Sequence, residues 1–322
     1  MHLSALVVSF PCIFDTMRPE EIHDKRVLLS PLNWGMGHVS RCIGLIHQLL
    51  EQNNVIMVAS NAEQEAIFRM YFPELDYVAL EGYPFQFEGN GNFAWDLAQN
   101  LGALKSRLKK ELKETQTLVR SHTIDVVLSD HRYGFFCEDV PSVFITHQYH
   151  LPVKGMQVLA DKWHKKRLRP FDHIWVLDYP DSRLSGKLSA NPNDNRVKYV
   201  GPYSRFSLYD LNREKTEETV VVVSGPEVYA QQFADEIRAN HPEATFICPD
   251  AIELDEVKRT SGNWKEQDTA ILNAQRLISR SGYSTIMDLE ALKIPAFLYP
   301  TPGQAEQIYL HNRLTDCSEY NP

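Results

Sequence analysis

Along this chain, short unbroken apolar runs alternate with stretches in which apolar residues recur every three or four positions. Residues 27–30 make the first run, and residues 39–50 the first helical stretch, with apolar side chains at 39, 42, 43, 46, 49 and 50. That spacing predicts an amphipathic helix laid with one face on a core. Asn53 and Asn54 stop it, and residues 55–59 form the next strand. A helix over 62–71, a strand near 77–80 and a long helix over 101–120 follow. Residues 125–129 and 142–146 are near-continuous apolar runs, as in strands of a parallel sheet covered on both faces. Strands at 171–178 and 197–201 close this half. The rhythm resumes with strand 219–223, helix 229–240, strand 244–248, a strand ending at 277–279, helix 284–293, strand 294–299 and helix 304–314. Alternation of this kind predicts an α/β protein with parallel sheets. The charged, polar stretch 207–218 between the halves fits a linker. The expected organisation is an extension over 1–25, one domain over 26–206, the linker, and a second domain over 219–322.

A length of 322 residues accommodates two such domains, and 43% hydrophobic with 23% charged residues is ordinary for a globular chain. The net charge of −9 argues against general nucleic-acid binding. Cys12, Cys42, Cys137, Cys248 and Cys317 are scattered and never form a C-x-x-C pair. They predict reduced thiols in a cytoplasmic protein, and no zinc site. The apolar run in residues 1–16 is too short to span a bilayer, is broken by Pro11 and has no preceding Lys or Arg. It is expected to lie outside the fold, with Met17 as the natural start. Two segments change the electrostatic picture. Residues 101–120 carry six basic against two acidic residues, and 154–169 carry six against one, with Met156, Val158, Leu159, Trp163 and Leu168 interleaved. Such segments lie on an anionic membrane surface or form solvated faces.

Candidate chemistry gathers at strand-to-helix turns. In Ser281-Gly282-Tyr283-Ser284-Thr285 a glycine lets backbone approach a ligand and hydroxyls flank it. The helix N-terminus that follows presents free N–H groups and a positive dipole end, which suit a diphosphate. Asp288, one turn on, can accept from ribose hydroxyls, and Gln304, Glu306 and Gln307 after the next strand can read sugar hydroxyls. The plainer alternative is an ordinary βαβ unit with solvated polar caps. In the N-terminal half the loop Trp34-Gly35-Met36-Gly37-His38 follows the first strand, without a G-x-G-x-x-G fingerprint. His38 falls at a helix N-terminus, where the dipole keeps imidazole neutral and able to act as a general base; a capping or packing histidine is the alternative. Strand 125–129 delivers Asp130, His131 and Arg132 to the sheet edge where ligands bind, and strand 142–146 delivers His147 and Gln148. Asp130 as a helix cap and His147 as a satisfied polar residue are the alternatives there. The aromatic, glycine-rich loop 82–93 is of the kind that lines binding sites.

The stretch 278–312 resembles the donor-binding half of the GT-B glycosyltransferases of family 28, the group that includes the GlcNAc transferase of peptidoglycan-precursor synthesis. The resemblance implies two Rossmann-like parallel-sheet domains facing a cleft. It makes Asp288 the acidic residue that holds the ribose and Gln307 the first of two paired glutamines, the second being Ile308 here. It puts Gly35, Gly37 and His38 at the cleft, with His38 in catalysis, and Arg132 and His147 on the acceptor side. Arg205 matches an arginine that reaches donor phosphate, though the turn here is Gly-Pro-x-x-Arg. Ser224 and Gly225 stand where the family contacts the diphosphate, with Pro226 suited to a first helical turn. The family's further C-terminal helix does not follow residue 314, implying a shortened variant or a truncated sequence.

What the resemblance implies functionally is transfer of a hexose or N-acetylhexosamine from a nucleotide diphosphate, UDP by analogy, to an acceptor hydroxyl. His38, or as second choice Asp130, would take the acceptor proton with inversion at the anomeric carbon. No Asp-x-Asp stands at a strand end, so neither metal nor cofactor is expected. The implied partners are the nucleotide-sugar donor, a carbohydrate or lipid-linked acceptor, and an anionic membrane contact at the inner face of the cell membrane. A nucleotide-sugar hydrolase, a UDP-sugar 2-epimerase and a non-catalytic binder remain open on the same residues.

Overall fold

The structure is a computed structural model and describes residues 17–83, 101–151, 157–255, 257–260, 263–315 and 319–322. Residues 1–16 of the expected extension, almost all of loop 82–93 and the first residues of the basic segment at 154–169 lie outside the described residues.

The first sheet is built from β1 (Arg26–Pro31), β2 (Val55–Ser60), β3 (Asp76–Ala79), β4 (Val126–Asp130), β5 (Ser142–Thr146), β6 (His173–Val176) and β7 (Val197–Tyr199). Its seven strands run in the order β3-β2-β1-β4-β5-β6-β7, all parallel. The helices are α1 (Gly37–Glu51), α2 (Ala62–Tyr71), α3 (Leu101–His122) and α4 (Gln157–Leu168). The second sheet has β8 (Glu217–Val222), β9 (Thr245–Ile247), β10 (Lys258–Thr260), β11 (Ala274–Arg280), β12 (Ala296–Tyr299) and β13 (Glu319–Tyr320). Their order is β10-β9-β8-β11-β12-β13, parallel except for β13. Its helices are α5 (Glu227–Asn240), α6 (Trp264–Leu272), α7 (Tyr283–Leu292) and α8 (Ala305–Leu314). Two parallel-sheet α/β units are thus present, as the apolar rhythm predicts.

The additions are β10, α6 and β13. Helix α6 buries only Asp268, Ile271 and Leu272, too few apolar positions to set up a helical period, and Asn263 caps it by accepting from Lys265 N. β10 is a charged edge strand, Lys-Arg-Thr, whose composition hides it while protecting the sheet edge.

In each sheet the strand order reverses between the first strand and the one that follows the crossover, β1/β4 and β8/β11. Loops at such switch points open a crevice at the carboxyl ends of the strands. Helices α1 and α7 start at these two points and contact each other. One apolar cluster runs through both domains, joining Ile43, Ile46 and Leu49 of α1 to Ile286 and Leu289 of α7 by way of Phe206. Each such side chain contributes about 1.5–3 kcal/mol on burial. Gly44 permits this approach: a Cβ there would overlap the Ser204 carbonyl of the connecting segment. The packing therefore brings the two switch points face to face.

Candidate functional site

On the first domain, β1 and β4 are neighbours with Pro31 opposite Asp130, so the loop leading into α1 arrives above the Asp130 carboxylate. His38, in the first turn of α1, places Nδ1 2.8 Å from Asp130 Oδ2. Arg41, one turn further on the same face, approaches both carboxylate oxygens through Nε at 3.0 Å and adds a bond from Nη2. Burial alone would raise the Asp130 carboxyl, but Arg41 and His38 hold it well below the ordinary carboxylate range. His38 is lowered by burial and then by Arg41, against the pull of Asp130, so its imidazole is neutral. Arg41 Nη2 also lies 2.7 Å from His38 Nδ1, and a guanidinium only donates, so the two neighbours ask for opposite tautomers. The ionised carboxylate prevails, because a short contact between it and a bare ring nitrogen would oppose two lone pairs. Nδ1 then carries the proton, and Nε2, unbonded among the described residues, keeps its lone pair.

On the second domain, α7 begins at Gly282 without a side-chain cap. Its first backbone bond comes from Ile286 N to Gly282 O, leaving the N–H groups of Tyr283, Ser284 and Thr285 available to an anion. Ser281 Oγ bonds the Gln307 carbonyl at 2.9 Å, and Gln307 spans Gln304 Oε1 at 2.6 Å and Thr301 N at 2.8 Å. Ser224 and Gly225 form an exposed turn after β8, with Gly225 at φ +104°. Thr301, buried, has a hydroxyl with no partner among the described residues, 3.8 Å from where a Cβ on Gly225 would stand.

The two faces touch. A Cβ on Gly37 would fall 2.5 Å from Ser284 Oγ, so a larger residue there would have to displace the Ser284 side chain. His147, at the end of β5, stacks on Tyr283 at 4.3 Å with rings 6° apart. Its Nδ1 accepts from Arg41 Nη1 at 3.1 Å and its Nε2 donates to Glu306 at 2.8 Å, while the Gln148 amide bonds the second Glu306 oxygen. Nearer the connecting segment, Arg205 bonds Asp268 at 2.5 Å, Asp288 at 2.6 Å and Ser40 Oγ at 2.8 Å.

No family profile and no curated protein sequence matches the chain. Solved structures do. The Streptomyces sp. SF2575 glycosyltransferase SsfS6, complexed with thymidine diphosphate, is 13% identical, with 90% of this chain and 85% of that one aligned at a TM-score of 0.59. The glycosyltransferase of kitacinnamycin is 16% identical over 89% and 84%, at 0.58. MurG of Acinetobacter baumannii is 12% identical over 89% and 82%, at 0.50. The fold is GT-B. No helix among the described residues is long and apolar enough to cross a membrane.

Several expected roles are corrected. Arg132 does not face an acceptor: it is wholly buried, paired with Glu111 at 2.5 Å and bonded to the carbonyls of Pro31 and Glu81. A buried guanidinium must have its donors satisfied, and the interior satisfies these. The Tyr283 side chain does not reach toward a donor, since its hydroxyl donates to Leu177 O at 2.5 Å across the cleft. Arg205 is committed to Asp268 and Asp288 rather than open to phosphate, and Asp288 is bonded to Arg205 and Ser204 rather than open to a ribose. Burial raises the Asp288 carboxyl even against Arg205. Arg41 and Thr301 were missed. Arg41's signal was an arginine inside the apolar stripe of α1, three residues from His38; Thr301 carried none.

Proposed function

We propose that this protein is a glycosyltransferase that moves a sugar from a nucleoside diphosphate to an acceptor hydroxyl with inversion. The observation that carries the reading is the His38–Asp130 pair standing across from the uncapped start of α7, with Gly37 against Ser284. The acceptor oxygen attacks the anomeric carbon as His38 Nε2 takes its proton. The anomeric C–O bond breaks with its electron pair leaving on the diphosphate, whose charge meets the N–H groups at 282–285 and the 224–225 turn. Asp130 stabilises the imidazolium. The reading takes a pyrimidine donor, UDP first; what supports it is the thymidine diphosphate in the SsfS6 structure and the UDP-2fluoro-glucose in that of the similar Phytolacca americana UGT2, at 12% identity and a TM-score of 0.57. Ser224, Gly225, Ser281, Gly282, Ser284, Thr285, Gln304 and Gln307 make the donor side.

The first domain also carries a basic surface. Lys105, Lys109, Lys110 and Lys113 on α3 and Lys162, Lys165 and Lys166 on α4 are exposed, and both helices cover the same cluster around Leu108, Phe136 and Leu168. This supports a peripheral contact with anionic lipid at the cytoplasmic membrane face, readable as co-sedimentation with phosphatidylserine vesicles that salt reverses.

A thermal-shift panel of UDP, thymidine diphosphate, GDP and CMP tests the donor, because a ligand at one hundred times its Kd adds about 2.7 kcal/mol. An NMR time course with the nucleotide sugar that responds then tests the chemistry. Retention at the anomeric carbon, or full activity in His38→Ala, would overturn the reading. Turnover of the nucleotide sugar without any acceptor would make the protein a hydrolase.

A further inference from the structure

A file of side chains crosses the cleft. Glu306, at the start of α8, accepts from His147 Nε2 at 2.8 Å; His147 Nδ1 accepts from Arg41 Nη1 at 3.1 Å; Arg41 grips both oxygens of Asp130, and Asp130 holds His38. The carboxylates set the polarity against donors that crowd the same ring nitrogens, Arg41 Nη2 at His38 Nδ1 (2.7 Å) and the Gln148 amide at His147 Nε2 (3.2 Å). Arg41 only donates, so His147 must accept at Nδ1 and carry its proton at Nε2, where the Glu306 carboxylate receives it. The stacked Tyr283 ring keeps the imidazole in the plane this requires. Arg41 is 4% exposed, so its charge is met by carboxylates from both domains, Asp130 directly and Glu306 through His147. The groups facing His38 are Arg41 on its own helix, Asp130 and His131 from the end of β4, and His147 from the end of β5.

We propose that Glu306 is a positioning residue: through His147 and Arg41 it braces the Asp130–His38 pair, so the base in one domain is completed by a helix of the other. A separated pair of domains would then hold an incomplete base, and chemistry would wait for closure. The catalytic meaning rests on the glycosyltransferase reading; the linkage itself does not.

Imidazole NMR titration of the full chain tests it without substrate, with His38→Gln and His147→Gln assigning the resonances. In Glu306→Gln the His147 ring resonances shift and the His38 midpoint falls, because Arg41 is less compensated. Glu306→Asp restores part of both. Arg41→Gln moves the His38 midpoint the opposite way, upward. His147→Asn, which breaks the same file from the other domain, must move His38 in the same direction as Glu306→Gln, and it decides the matter if Glu306→Gln does not fold. An unchanged His38 in both variants overturns the proposal, whether or not His147 responds. Nucleotide binding, followed in parallel, separates the failures. His38 responding in a protein that binds no nucleotide leaves the linkage and removes the function; nucleotide binding with an indifferent His38 does the reverse.

Discussion

The two faces of the cleft are built on opposite plans. The first domain supplies mostly charged side chains: Asp130 is wholly buried, and Arg41 and His38 are bonded to it, with Glu306 of the other domain reaching Arg41 only through His147. The second domain offers mostly backbone, an uncapped helix start at 282–285 and a glycine turn at 224–225. Its carboxylates are held by the other domain or the connecting segment, Glu306 by His147 and Asp288 by Arg205 and Ser204. A proton-transfer group needs its tautomer set in advance, which takes a desolvated, paired charge. A diphosphate brings its own charge and needs only donors aimed at it. On the proposed function, the half that carries the base is set by its own pairing, and the half that takes the donor is completed by its ligand.

The sharpest way to break this contrast is Asp130→Asn. The amide cannot hold the Nδ1–H tautomer, so transfer should fall roughly 10²–10⁴-fold with nucleotide affinity unchanged, measured as kcat/KM against a thermal-shift isotherm. Arg132→Met should do the opposite. It strands Glu111 in the interior and should destabilise the fold by about 3–5 kcal/mol in denaturant melts, while nucleotide affinity in the folded fraction is unchanged.

Acid sharpens it further. His164, buried and bonded to the Tyr133 hydroxyl at 2.8 Å, is pushed down to about 4 by burial. An unfolded histidine titrates near 6.5, so between those values the unfolded chain binds the extra proton. Stability is full above 6.5 and falls toward pH 4, by about 3 kcal/mol from His164 alone. Thermal midpoints at pH 7 and 5 should drop less in His164→Gln than in the parent. The smallest effect expected is at Thr301. Thr301→Val should leave the free protein as stable as before and weaken nucleoside diphosphate binding by about 1 kcal/mol, read by calorimetry; equal affinity would take Thr301 out of the site.

Much of this was legible in the chain. The apolar period fixed α1 to within a residue or two of Gly37–Glu51, and β5 at Ser142–Thr146 coincides with its apolar run. His38 stood out because a histidine opens that helix directly after a glycine loop, and Asp130 because a buried strand ends on it. Elements with few apolar positions, α6 and β10, were not legible, since a period needs repeats to be seen.

Local order thus belongs to the sequence: the alternation of strand and helix, the two switch-point turns, and the polar residues set at their ends. Partnership belongs to the tertiary structure. Arg41, Arg132 and Arg205 carry the same charge, and nothing in the letters names the partner of any of them. One grips the base, one is sealed in the interior against Glu111, and one joins the domains at Asp268 and Asp288. Side-chain periodicity is a property of neighbours three and four apart, whereas a buried charge answers to whichever opposite charge the packing of distant segments brings within about 3 Å.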